Sequence, residues 1–556
     1  MILKIEQQRK ELFSADFTIW HLEKKVGSIS VQGKLGSMEA EITIHLFDKD
    51  YYMVYAGGFL KERPLPDKSK AYRPYKIFNS EHRILGNVAQ IDQREGWFTT
   101  ISYMHMYIVD QEIEFTNERI IPASGLSVVG AILGKSDFTK RLNRMDVTKN
   151  RSQHQFKNGD IILTYIGMLC MGKPGFEAVH EMDDDPDFYK LALGITRSIP
   201  SEETLRQRMD DIGDTLRQQI LQENIRMLTA NQIRPTKLPN GFVPVDIDVT
   251  PMDNSKTQKE GVSRTYKGYD GYAPIMAYIG TEGYAVNFQL RAGKQHCQNG
   301  TVEFIRETVR LCKQLTGEPL LIRLDSGNDS IDNVAVLIEE GCYFIIKRNL
   351  RREGKENWLK MAKECCLNIT TPRDGKTVYI GSDWKTVTSK EFQKEFTLRA
   401  GYEIMERTID KHGQFLLMPD IEVNTWWTNL GLGDQEVIDL YHTHGECEQF
   451  HSEIKTDMDL ERLPSGKFDT NSLILELAII SYNILRMIGQ ETIGGRTPRQ
   501  KRDVKRRRLR TVISNLIMMA SHVTTHARQV IMGLGKSNVW RHIFADVFHK
   551  FTAVTE

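Results

Sequence analysis

Hydrophobic and polar positions change period several times along the chain, and each change marks an element. Short alternating runs such as EAEITIHLF (39–47) and YYMVYAGGF (51–59) predict strands in the first hundred residues, where no chemical motif stands. Residues 1–114 are therefore an unassigned region, read as an accessory domain or as an extension ahead of a start near Met104 or Met106. From Phe115 the composition turns to TNERIIPASGLSVVGAILG, as at the beginning of a domain. Between Asp160 and Leu228 the period is helical. DIILTYIGMLC predicts an apolar helix; after Pro200 a second is capped by Ser201, with Glu202 and Glu203 in the first turn where the dipole favours acids. Arg206 and Arg208 lie near the start of this second helix. Helix, turn, helix with early arginines fits docking in a DNA major groove as well as ordinary packing, so 115–235 is expected to be a helical DNA-end-binding domain.

From Gly241 the period shortens to two. GFVPVDIDVT predicts a strand with Asp246 and Asp248 on one face. YAPIMAYIGTEGYAVNFQLR predicts a hairpin around its glycine-bounded GTEG turn. VEFIRETVRLCKQL (302–315) predicts a helix, LLIRL a buried strand ending at Asp325, and EEGCYFIIKRN (339–349) one more strand. The series strand–hairpin–helix–strand–helix–strand predicts an α/β fold on a mixed sheet, with 236–349 as the first part of a core. Alternating segments then predict a β-rich inserted subdomain over 350–422. NTWWTNLGL returns to the sheet and a long helical region begins near Gln435, so 423–490 complete the core. Residues 491–556 are expected to be a basic helical C-terminal region.

At 556 residues the chain is too long for one ordinary core, and 40% hydrophobic with 26% charged residues is usual for a globular protein. No uninterrupted apolar run reaches the roughly 18 residues of a membrane span, and MILKIEQQRKELF lacks a secretory layout, so a cytoplasmic protein is expected. The seven cysteines are scattered without a CxxC pair, which argues against a zinc finger. A net charge of +1 excludes a uniformly basic nucleic-acid coat. Charge is nevertheless concentrated: nine of the fifteen residues from Arg496 to Arg510 are Lys or Arg, whereas MDDDPD (182–187) is acidic. Such a basic cluster, with Arg506, Arg507 and Arg508 at its heart, can neutralise several phosphates and release their counterions.

Three acids stand where a lone carboxylate is costly or exposed to chemistry. Asp248 lies inside an apolar strand and Asp325 ends another, positions that ask for a pairing group or a cation. Turn and capping roles explain Asp253 and Asp270 better, and are the plain alternative for Asp325. The third comes from YHTHGECEQFHSEIKTDMDLERLPSGKF: on an ideal helix Tyr441, His444, Glu448 and Lys455 share a narrow arc. That stripe is no hydrophobic face and suits phosphate and metal. Two hard cations held by a few carboxylates supply what phosphodiester chemistry needs.

The phrases DIDVTPMDNSKTQKEGVSRTYKGYDGYAPIMAYIGTEGY, LLIRLDSGND and YHTHGECEQFHSEIKTDMDLERLPSGKF resemble the DDE transposases of bacterial insertion sequences. More narrowly they resemble insertion-sequence family thirteen-eighty, in the branch marked by a Tyr–Arg–Glu–Lys signature, from about Phe115 to the basic tail. The resemblance implies a ribonuclease H-like core with a β insertion between the second Asp and the Glu. Carried over, catalytic and metal-binding residues are Asp248, Asp325 and Glu448, with Asp246 as fallback; Thr250, two residues on, favours Asp248. The signature falls on Tyr441, Glu448 and Lys455, with His444 in the place of Arg, and an imidazole cannot fork two hydrogen bonds to phosphate as a guanidinium does. Implied are two Mg²⁺ or Mn²⁺ ions, nicking that frees a 3′-OH at the element's ends, and attack of that hydroxyl on target DNA. Partners would be double-stranded DNA, as terminal repeats and target, and a second copy in a homodimer on DNA, in a bacterial nucleoid-associated setting. Arg206, Arg208, Tyr441, His444, Lys455 and Arg506 to Arg508 are the expected DNA contacts; Lys256, Lys259, Arg264 and Lys267 are candidate phosphate grips. Trp384, Trp426 and Trp427 are candidates for holding a flipped base, against a packing role. The alternatives are a nuclease or resolvase on the same fold, or a transposase-derived DNA-binding protein that has lost its chemistry; a two-carboxylate glycosidase fits less well, since it leaves the lysine and the basic tail without a role.

Overall fold

The alternation in the first hundred residues builds eight strands between Lys4 and Met106, each antiparallel to the next in a single sheet. Ile29 and Ile44 pair across two neighbouring strands and are fully buried, as inward positions of such a sheet should be. These strands belong to a unit of their own, Met1–Asn117, and Glu118–Glu556 form a second. The computed structural model describes residues 4–10, 14–21, 24–32, 41–46, 49–55, 70–79, 84–95 and 98–106, then 117–144, 156–493, 504–526 and 529–553.

In the second unit the helical period gives Asn158–Cys170 (α1), Glu202–Ile212 (α2) and Arg217–Ala230 (α3) among other helices. α1 is buried along its whole length, Asp160 included, whose carboxylate accepts from Thr196. Ser201 caps α2 by accepting the Thr204 N–H. What reads as one long helix after Ser201 is two, because Gly213 adopts φ +50°, a conformation cheap only for glycine, and a 3₁₀ turn follows.

The strands Val243–Val249 (β1), Ile275–Ile279 (β2), Tyr284–Gln289 (β3), Leu320–Leu324 (β4) and Tyr343–Lys347 (β5) stand in the order β3-β2-β1-β4-β5. β1, β2 and β3 are antiparallel neighbours; β4 is parallel to β1 and β5 to β4. Helices Thr301–Leu315 (α4) and Ile331–Glu339 (α5) make the crossovers before β4 and β5. The period of two sorts the side chains: Val245 and Ile247 of β1 and Ile322 and Leu324 of β4 join the large core, while Leu321 joins Trp426, Val437 and Ile438 on the opposite face.

The residues read as a β-rich insertion, 350–422, carry strands that join the main sheet. Asn368–Arg373 (β6), Lys376–Thr388 (β7), Glu395–Ile409 (β8) and Phe415–Thr428 (β9) continue the same sheet, in the order β5-β9-β8-β7-β6, to nine strands. The cause is strand length. β8 and β9 run 15 and 14 residues, so Ala400, Ile404 and Trp426 are buried while Phe415, Leu417 and Met418 stand in solvent.

After β9 come Asp434–His442 (α6), a 3₁₀ turn at Thr443–Glu446, Cys447–Ser452 (α7) and a π turn at Glu453–Asp457. Phe468–Glu491 (α8) is long and apolar enough to cross a membrane, yet the window that qualifies is wholly buried in the protein. It lies against α1 and β3 as the central core helix. Each of its buried Leu and Ile side chains contributes about 1.5–3 kcal/mol. Asn483 of α8 also accepts the Ala285 N–H (2.8 Å) and donates to the Ala285 carbonyl (2.7 Å), which satisfies backbone groups on edge strand β3.

Candidate active site

The register of β1 on β4 makes the site. Ile247 pairs with Leu324 across these parallel strands, so Asp248 and Asp325, one residue further on, emerge side by side at their carboxyl ends. The Val249 N–H holds one Asp248 oxygen (2.7 Å) and the Asn328 amide holds Asp325 (2.7 Å). Burial, and then the charge of Asp325, raise the Asp248 carboxyl to about 7, with Glu448 adding the smallest push. The register sets the two aspartates side by side, and Glu448 borders the same cleft.

Asp246, two residues back on the same face, is spent. It takes a two-pronged ion pair from Arg323, Nε to Oδ1 at 2.6 Å and Nη2 to Oδ2 at 2.8 Å, and it meets His444 Nδ1 at 2.8 Å. Burial would raise its carboxyl, but the Arg323 and His444 charges outweigh that and hold it low. Arg323 also donates to the Leu440 carbonyl (2.8 Å) and the Thr443 hydroxyl. One guanidinium therefore ties β1, β4 and the end of α6 together, and fixes where α7 begins.

α7 carries Glu448 on its exposed side, while Cys447, Phe450 and His451 turn inward. Burial depresses the His451 imidazole to about 3, so the ring 3.8 Å from Asp248 is neutral. Asp248, Asp325 and Glu448 line one cleft of about 590 Å³ with Tyr266, Lys267, Lys347, Trp426, Tyr441 and His444. Among the described residues no three His, Cys, Asp or Glu side chains are already disposed to hold one metal ion. The donor set itself, carboxylate oxygens with two of them crowded enough to repel, is the chemistry a hard divalent cation requires.

The other expected contacts divide. Tyr441 and His444 reach the cleft, but the His444 imidazole is buried against Asp246, with its pKa raised by that partner over the opposing effect of burial. Lys455 does not line the cleft; its ammonium donates to the Pro251 carbonyl. Of the predicted stripe, Tyr441, His444 and Glu448 border the one cleft, while Lys455 turns to Pro251. Arg208 is buried and bonded to Asn158 (2.5 Å), because α2 turns that face to α1. Arg206 is exposed but paired with Glu202 (2.6 Å). Trp384 is 65% exposed on β7 and away from the cleft lining, whereas Trp426 forms part of its wall and Trp427 donates to Asp329 (3.0 Å). Arg506 to Arg508 fold back towards the helical run, and residues 496–503 of the basic tail lie outside the described residues.

Lys347, Tyr266 and Arg323 were not singled out from the sequence. Lys347 ends β5 as Asp325 follows β4, the signal that could have found it. Arg323 interrupts LLIRL, and a charge inside a buried strand calls for a partner.

Residues 110–555 match the family model described as transposase DDE domain group 1. No curated protein matches the chain. Among solved structures it is similar to a piggyBac transposase in a synaptic complex with hairpin DNA, at 11% identity and a TM-score of 0.32, over 65% of this chain and 73% of that one.

Proposed function

The chain belongs to the transposase DDE domain group 1 family, and from that premise we propose that it cuts DNA at the ends of a mobile element and joins the freed 3′-OH to target DNA. The observation that carries the reading is the emergence of Asp248 and Asp325 from adjacent parallel strands into the cleft that Glu448 borders. The order β3-β2-β1-β4-β5, antiparallel then parallel, supports a ribonuclease H-like core. The spacing of Tyr441, Glu448 and Lys455 supports the Tyr–Arg–Glu–Lys branch of insertion-sequence family thirteen-eighty.

In this reading Asp248, Asp325 and Glu448 hold two divalent cations, Mg²⁺ or Mn²⁺. When bound, such ions polarise the scissile phosphate and stabilise the attacking and leaving oxygens. Lys267 and Lys347, which line the same cleft, answer the charge of the phosphate being cut. In the first step a water oxygen bonds to phosphorus and the bond to the 3′ oxygen breaks, leaving a 3′-OH. In the second that hydroxyl bonds to a target phosphorus and releases a target oxygen. Asp246, Arg323 and His444 act as positioning residues that seat α7 on the sheet. The contact of the His444 imidazole with Asp246 supports an active enzyme over an inactive descendant. A homodimer would bring two element ends together, and the setting is the bacterial cytoplasm with its nucleoid.

Manganese binding followed by electron paramagnetic resonance tests the ligand assignment directly. Asp248→Asn and Asp325→Asn, each checked for fold by circular dichroism, are expected to lose at least about tenfold in affinity. Folded variants that bind Mn²⁺ as wild type does would overturn it.

A further inference from the structure

A second groove, of about 380 Å³, borders Glu448 as well. Its lining includes Gly445, Glu448, Ser452, Arg506 and Arg508, and Gly445 and Glu448 also line the cleft of the aspartates. The two hollows therefore meet at one ridge, formed by the start of α7 and the turn before it. At Gly445 that ridge carries no side chain, and a Cβ added there would meet no atom within 4 Å.

The three consecutive arginines at this place differ in what they hold. Arg508 is clamped to Asp457, Nε to Oδ2 at 2.9 Å and Nη2 to Oδ1 at 3.0 Å. Arg507 donates to the Thr492 hydroxyl (2.9 Å) and lies over the Trp540 ring. Arg506 has no ion pair among the described residues; it donates to the Gln449 side-chain oxygen (2.7 Å) and lies 4.5 Å over the Phe450 ring. Phe450 is itself fixed, packed where Gly283 leaves room. Glu453 also lines the groove, but its carboxylate is taken by Arg486. A guanidinium drawn partly out of water, oriented on an aromatic face and with no carboxylate within ion-pair distance among the described residues is prepared for an anion that arrives from outside. Its planar fork suits phosphate.

We propose that Arg506 is a phosphodiester subsite, holding the backbone of a DNA strand that crosses the Gly445 saddle from the aspartate cleft. This rests on the transposase reading and adds to it the path of the strand and the single arginine that grips it. Arg507 and Arg508 are then held by Thr492, Trp540 and Asp457, so of these three arginines it is Arg506 that grips the strand.

The test uses the full chain carrying Asp325→Asn, with a labelled DNA single strand of arbitrary sequence, followed by fluorescence anisotropy over a series of salt concentrations. Adding Arg506→Gln is expected to weaken binding several-fold and to flatten the log–log salt dependence by about 0.7, the loss of one phosphate contact. Adding Gly445→Leu, whose Cβ would meet no atom within 4 Å, places an apolar side chain on the ridge and should weaken binding while leaving the melting temperature unchanged. Unchanged affinity and slope in a folded Arg506→Gln variant would overturn the subsite while leaving the function standing. Equal competition by inorganic phosphate would overturn the strand assignment. An Asp325→Asn protein that binds no DNA at all would overturn the transposase reading and the subsite with it.

Discussion

Asp246 and Asp248 share one face of β1, two residues apart, and the fold treats them oppositely. Asp246 is ionised between Arg323 and His444, whereas Asp248 is pushed towards its neutral form by burial and by Asp325. Asp246→Asn is expected to cost about 3–5 kcal/mol in urea unfolding, because it strands a buried guanidinium. Asp248→Asn should leave stability unchanged or raised, while strand joining falls by about a hundredfold or more. A reversal of the two patterns would exchange the roles. From the sequence the pair was legible as two acids on one face. Their division of labour was not, because it depends on Arg323, which reaches Asp246 through strand pairing that no local spacing encodes. His444 likewise read as a phosphate contact, since its partner stands 198 positions away.

At the scale of elements, local pattern carried far. The hairpin around GTEG, α4, β4 and β5 lie where alternation and helical period put them, since each buries one clear face or is apolar throughout. Length was what pattern could not give: β7 to β9 alternate like a small domain yet extend the main sheet, and the run after Ser201 is divided by the φ of Gly213. α8 offers a test by pH. Burial raises Glu476 to about 8, against the opposing charge of Arg217. Its folded pKa lies above its unfolded value, so the stability it contributes is full in acid and lost as pH rises through about 8. Between about pH 6 and about pH 9 that loss is on the order of 2 kcal/mol, and Glu476→Gln is expected to remove it. A melting temperature that declines equally with pH in wild type and variant would show that α8 does not hold the proton.

Across the whole molecule, Met1–Asn117 is a unit distinct from the one that holds the sheet, cleft and groove. Its alternation announced strands but no chemistry, because a meander of strands needs only inward and outward positions. Removing residues 1–117 is expected to leave a soluble chain that melts cooperatively, as differential scanning calorimetry would read; aggregation or a broad, non-cooperative transition would show that the second unit needs the first. The convergence of Asp248, Asp325 and Glu448 belongs to this scale too, since residues distant in the chain meet only once the sheet is assembled and Arg323 has seated α7. The measurement that tests the central claim most directly is strand joining by the purified chain with Mg²⁺ and labelled DNA carrying the element's own ends. Wild type should give joined products, and folded Asp325→Asn and Glu448→Gln variants should give none. Cleavage without joining would contradict the account in favour of a nuclease, and joining that survives both substitutions would contradict the site itself.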